Sequence, residues 1–258
     1  MYWGNDMKSS DFRKEGREAL KGNWVKAVIA FIILNILTSI SDNFDRIYET
    51  FNTKDFMNLL GALTGFSNQN NANESVDFKY FTNQFSDFPN NIQFVDLQIF
   101  LLSILVGILL IPLTFGTVYF CIKLIRREAV EVSNVFLVYQ SYNLSLKAIL
   151  NTITVGILVF LWSLLLIIPG IIKGISYALT KYIIIDNHDI KNLEAIHLSS
   201  KMMDGYKWKY FKLHVSFIGW YILGALSFGI GFIWITPYIE TSFAAFYQHV
   251  KEQYEVQN

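Results

Sequence analysis

The stretch from Leu164 to Asp186, LLLIIPGIIKGISYALTKYIIID, limits the fold more than any other part of the chain. It continues an apolar run that opens at Ile149, and the whole run to Ile185 is far longer than the roughly 20 residues that cross a bilayer. Pro169-Gly170 stands near its middle, and such a pair is a strong turn signal. Proline also suits the first turn of a returning helix, where its missing N–H costs nothing. The spacing predicts two antiparallel helices, with one kinked helix or a re-entrant segment as the alternative.

The same reasoning extends along the chain. Trp24 to Ile40 and Leu97 to Ile122 are each long enough for one crossing, and Leu213 to Tyr247 is long enough for two. Gly229 and Gly231 lie where that last run must turn. Hydrophobic residues make up 53% of the chain and charged residues only 16%, against about 25% in ordinary soluble domains. Lipid is the solvent this composition fits. The expected fold is therefore all-α: six membrane helices in three hairpins, at about 24–40, 97–122, 149–168, 170–185, 213–228 and 230–247.

Charge placement gives the orientation. Alternating the loops collects Lys8, Arg13, Lys14, Arg17, Lys21, Lys26, Lys123, Arg126, Arg127, Lys147, Lys191, Lys201, Lys207, Lys209, Lys212 and Lys251 on one side. Only Arg46, Lys54, Lys79 and Lys173 fall on the other. The positive-inside rule then puts both termini in the cytoplasm. A cleaved signal peptide is not expected, because Asp11, Glu15 and Glu18 precede the first run and no small-residue cleavage pattern follows it.

Between the spans, Ser10 to Lys21, Ser133 to Tyr142 and Asn192 to Asp204 read as short amphipathic helices on the cytoplasmic side. In the last, Leu193, Ile196, Ser200 and Met203 make the apolar stripe, and Ser133 is the expected cap of the second. LKGNWVKA near the first span looks like MDGYKWKY near the fifth, and each returning span carries one proline, at Pro112, Pro169 and Pro237. Three quasi-repeats of an interfacial helix followed by a hairpin would produce this pattern. Residues 41–96 read as an outward, Asn-rich loop insertion.

Motifs for catalysis are lacking. Glu194-x-x-His197 is half of a di-metal motif whose other half is absent, and no phosphate-cradling glycine loop or nucleophile elbow occurs. Neither an enzyme, a cofactor nor a metal is expected. The zero formal net charge and the adjoining spans argue against nucleic acid. Cys121, the single cysteine, reads as a small buried side chain.

Charges inside apolar runs carry more weight. Glu240 falls near the middle of the sixth expected span and Lys181 at a comparable depth on the fourth, which predicts a Glu240–Lys181 pair. Thr117 or Ser176 are the alternative partners for Glu240. Gly170, Gly174 and Ala178 form a small-residue ladder for close helix packing, within the chain or in a homo-oligomer. Trp24, Tyr206, Lys207, Trp208, Lys209 and Lys212 suit the interface, with anionic head groups as partners.

LLLIIPGIIKGISYALTKYIIID, EAIHLSSKMMDGYKWKYFKLHVSFIGW, GIGFIWITPYIETSFAAFY and EALKGNW together resemble the bacterial integral membrane family called domain of unknown function 975. The likeness covers most of the chain outside residues 41–96, and the family carries no established activity to transfer. A looser similarity links the Pro-Gly turn and the helix after it to membrane domains attached to some glycerophosphodiester phosphodiesterases. Their catalytic domain has no counterpart here. The expected role is an interaction, regulatory or envelope-protection function, peptide immunity included. A small transporter using the Glu240 region is the alternative.

Overall fold

The computed structural model describes residues 7–42 and 94–257, with side chains for 7–39 and 101–256. Nearly all of the expected outer loop, 41–96, lies outside the described residues. Those residues form helices and no strand. In order these are α1 (Ser9–Leu20), α2 (Trp24–Asp42), α3 (Phe94–Ile125), a 3-10 turn (Val132–Phe136) running into α4 (Leu137–Gln140), α5 (Tyr142–Leu165), α6 (Ile167–Tyr177), α7 (Thr180–Asp186), α8 (Asn192–Met202), α9 (Lys207–Val215), α10 (Ile218–Leu226) and α11 (Phe232–Gln257). Residues up to 36 and from 110 onward make one compact unit. The end of α2 and the first half of α3 belong to a second unit, in which both segments are helical.

The expectation of six full spans is corrected. Among the described residues three helical segments are long and apolar enough to cross a membrane: Leu101–Ile125, Tyr142–Leu165 and Ile167–Asp186. A fourth crossing is reached only if Ser9–Leu20 and Trp24–Ser39, bent by 101°, count as one. The fifth expected span, 213–228, takes in only residues 213–215 of α9 before the break at Ser216 and Phe217, and α10 beyond it has nine residues. The sixth becomes polar after Tyr247, where α11 continues through Gln248, Lys251 and Glu252. Its apolar part is too short.

The turn after α5 falls at Leu166, ahead of Pro169-Gly170. Leu166 is extended (φ −161°, ψ 141°), and its N–H donates to the Trp162 carbonyl at 3.2 Å. Pro169 therefore sits in the first turn of α6, and Gly170 is a packing residue inside the helix. At the other turn Phe228 (φ 54°) and Gly229 (φ 88°) are both left-handed, and the Gly229 N–H donates to the Gly224 carbonyl at 3.1 Å. This wrap-around bond closes α10. The Gly231 N–H donates to the Ser227 Oγ at 2.7 Å and leads into α11.

Each short helix packs on a returning helix, and the contacts close a cycle. A Cβ at Gly16 of α1 would lie 2.5 Å from the Ser242 Oγ of α11. One at Gly116 of α3 would lie 1.7 Å from the Val135 carbonyl oxygen in the 3-10 turn. Ser199 of α8 donates its hydroxyl to the Ser176 carbonyl of α6 at 2.8 Å. Gly16, Val135 and Ser199 stand at equal distances before the junctions at Gly22, Ser141 and Gly205. Gly22 (φ 81°) and Gly205 (φ 77°) share the left-handed backbone that lets the chain leave its interfacial helix.

Two details of the amphipathic helices differ from expectation. In α8 and its cap, Ile196 and Met203 are buried as expected, joined by Ala195, Ser199 and Met202, whereas Leu193 is 70% exposed and Ser200 only half-buried. Ser133 does not cap its segment: Asn134 Oδ1 accepts from the Glu131 N–H at 2.9 Å, and Ser141 Oγ caps α5 by accepting from the Leu144 N–H. The core gathers at the basic end of the helices. Phe12, Leu20, Phe31, Phe120, Phe217 and Phe246 are fully buried there, each contributing about 2 kcal/mol in area terms. Toward the hairpin tips the apolar side chains face outward.

Candidate functional site

The ion pair is the centre of the candidate site. Lys181 Nζ in α7 lies 3.7 Å from Glu240 Oε2 in α11, and both side chains are about one-third exposed. Thr117 and Ser176 do not serve Glu240, since Thr117 donates to the Thr114 carbonyl and Ser176 to the Ile172 carbonyl, both at 2.8 Å. Hydroxyl groups in apolar helices commonly satisfy themselves on the preceding turn.

Ring contacts fix the level of Glu240 along the hairpin. Phe217 and Trp220 meet Tyr238 at 5.5 and 5.6 Å, and His214 meets Phe243 at 4.2 Å. Further along, a Cβ at Gly224 would press on the Phe232 ring at 2.7 Å. Glu240 therefore stands opposite the junction of α9 and α10. Burial holds the His214 imidazole below its ordinary value, opposed by a carbonyl bond to Tyr210 and by the charge of Glu240. Burial, reinforced by Glu240, pushes the Tyr210 hydroxyl up.

A second polar centre lies at the end of α7. Asp186, 9% exposed, accepts from Arg126 at 2.7 Å, from the Tyr247 hydroxyl at 3.0 Å and from Lys251. It ties together the ends of α3, α7 and α11. Arg126 also donates to Gln248 Oε1 at 3.1 Å, and Arg127 reaches Glu15 of α1 at 2.7 Å. Sequence reasoning took Asp186 only as the close of an apolar run. Its signal was the lone acid directly after YIII, where a carboxylate must find cations at the membrane edge.

The interfacial residues form a folded-back surface. Lys209 lies over the Tyr206 ring at 5.2 Å, Lys212 over Trp208 at 5.5 Å, and Trp208 stacks on Phe211 at 5.2 Å while 62% exposed. Lys207 opens the same helix, and Trp24 opens α2 at half burial. Ladder residue Gly170 meets Ser163 of α5, where a Cβ would lie 2.1 Å from its Oγ, and Gly174 faces Val159. These two positions are occupied by the chain's own α5, so they offer no face to a second copy.

Two cavities adjoin the helix α7–α8 connection. One of about 510 Å³ is bordered by Gln140, Asn143, Lys147, His188 and Asp189, the other of about 260 Å³ by Asp186, Tyr247, Lys251 and Tyr254. Glu240 lines neither. Glu194 and His197 join no metal-ligand set: among the described residues no three His, Cys, Asp or Glu side chains gather as ligands would.

The family model described as a protein of unknown function (DUF975) matches residues 7–254. No curated protein and no solved structure matches the chain. The family match reaches across nearly the whole sequence, and the chain belongs to the DUF975 family.

Proposed function

We propose that this is a non-enzymatic protein of the bacterial cytoplasmic membrane. Its packed basic end rests on the cytoplasmic face among anionic head groups, and it acts there in an interaction, regulatory or envelope-protection role. One observation carries the reading. Only 11% of the apolar window of α5 is buried within the chain, and Leu164, Leu165, Leu166, Ile167 and Ile168 at its tip are 67–74% exposed. So large an apolar surface is stable against lipid and not against water.

The cations cluster at the other end of the same helices. Arg126 and Arg127 follow α3, Lys147 lies in the second turn of α5, and Lys207, Lys209 and Lys212 lie on α9. The packing of α1 on α11 supports placing both termini on that side. In nanodiscs the protein is expected to melt higher in phosphatidylglycerol than in phosphatidylcholine. Changing Lys207, Lys209 and Lys212 to Gln should narrow that gap. Equal melting in both lipids, or release of the protein from membranes by alkaline washing, would defeat the proposal.

Transport is the second reading, favoured by the partial exposure of Lys181 and Glu240. A proton or solute flux in proteoliposomes that falls with Glu240→Gln would replace the first reading with this one.

A further inference from the structure

We infer that the α10–α11 hairpin is a re-entrant wedge: it ends among the acyl chains, short of the far head groups, while the α5–α6 hairpin reaches further. The inference rests on the membrane reading above and adds a depth to it.

The Lys181–Glu240 pair supplies a common zero for both hairpins, because it joins α7 to α11 at one level. From Lys181 back to Leu166 the chain runs through α7 and α6, roughly 22 Å at the helical rise. From Glu240 back to Ile230 it covers only about 15 Å. Read up the other arm, α10 has nine residues, about 14 Å, above the level where Phe217 meets Tyr238. Both arms agree. With about 30 Å of hydrocarbon to cross, the wedge stops several ångströms before its neighbour.

The chemistry of the tip fits the same depth. Leu226, Phe228 and Ile230 are 72%, 98% and 62% exposed, and the one hydroxyl there, Ser227, is engaged by the Gly224 carbonyl and the Gly231 N–H. Trp220 and Tyr238 lie near the base, Trp234 is 53% exposed nearer the tip, and no charged side chain occurs from Trp220 to Tyr238. Phe228, moreover, holds a left-handed backbone that disfavours a bulky side chain, and at 98% exposure its ring is left uncovered by the described residues. Acyl chains are the partner that would cover it.

The test compares tips. Single cysteines are introduced by Phe228→Cys, Ile230→Cys and Leu166→Cys; native Cys121 is 1% exposed and is left in place. In vesicles, a fluorophore on residue 228 or 230 should be quenched best by lipids labelled near the acyl-chain ends. A fluorophore on residue 166 should be quenched best by labels nearer the far head groups. A membrane-impermeant maleimide applied outside should modify residue 166 and leave 228 and 230 unmodified. Equal depth for the two tips, or outside labelling of 228 or 230, overturns the wedge. If no label at any depth quenches either tip, the membrane reading itself fails.

Discussion

The contact between Gly116 and Val135 gives the sharpest test of the packed end. Adding one methyl group by Gly116→Ala puts a Cβ 1.7 Å from a backbone carbonyl oxygen, where ordinary contact begins at 3.4 Å. The turn at Val132–Phe136 must therefore move off α3 by well over an ångström. It has little room to do so, because the next segment is held by Ser145, which donates its hydroxyl to the Val138 carbonyl at 2.7 Å. Overpacking costs about 1–3 kcal/mol where side chains can adjust, and here the obstacle is backbone, so about 3 kcal/mol is expected. Gly156→Ala in α5 is the control. Its Cβ would meet nothing within 4 Å, and replacing a helix glycine gains about 0.5–1 kcal/mol. On the scale of a 250-residue chain, where 1 kcal/mol is about 2–4 °C, the two variants should melt roughly 8–12 °C apart in mild detergent. Melting within 2 °C of one another, on the order of half a kcal/mol, would refute the close approach and with it the closed cycle of interfacial helices.

Asp186→Asn leaves Arg126 and Lys251 without their shared carboxylate. Breaking a buried pair costs about 3–5 kcal/mol, but both cations are about 30% exposed, so about 2 kcal/mol is expected in thermal unfolding; an unchanged melt would contradict the network. Glu240→Gln should cost less than about 1 kcal/mol, because a pair 3.7 Å apart and one-third exposed is a weak one; the same measurement on Lys181→Met should agree. Acid should weaken the fold through two imidazoles. Burial first, and Lys209 next, hold His249 below its ordinary value against the pull of Glu252, and burial does the same at His214. Both sites bind a proton less readily in the fold than in the unfolded chain, so below about pH 6.5 the unfolded chain takes up more protons. Melting temperature should therefore fall between pH 7 and pH 5, and His249→Phe should flatten that fall; a pH-independent melt would count against it.

Much of the fold was legible because apolar length and charge placement are strong signals. The return after α5, the break at Gly229 to Gly231, and the helices ending before Gly22 and Gly205 all follow from local residue chemistry. What failed was apolar length taken as crossing length. Leu213 to Tyr247 is apolar enough for two spans only if Phe217, Phe243 and Phe246 face lipid, yet all three are buried in the packed end. Hydropathy cannot separate a core phenylalanine from a lipid-facing one. The Pro-Gly turn slipped for a related reason: proline marks the first turn of a helix as readily as the bend before it, and here Leu166 supplied the bend. The centre at Asp186 was hidden because its partners come from three distant segments.

The same correction moves Glu240. Placed at the middle of a full span, it would sit with Lys181 in hydrocarbon, each charge costing about 3 kcal/mol on insertion scales, with a third of each side chain left facing acyl chains. Placed opposite the α9–α10 junction, beside His214 and below Trp220, the pair has head groups and water within reach and the penalty largely disappears. The two hairpin tips then differ in depth by about 7 Å, the difference between the rises of about 22 Å and 15 Å from the pair to each tip. A single carboxylate at the membrane edge requires no proton relay to explain it. It is adequately accounted for as the fastening that holds the C-terminal hairpin to α7 at a fixed level, from which the hydrophobic tips project to unequal depths.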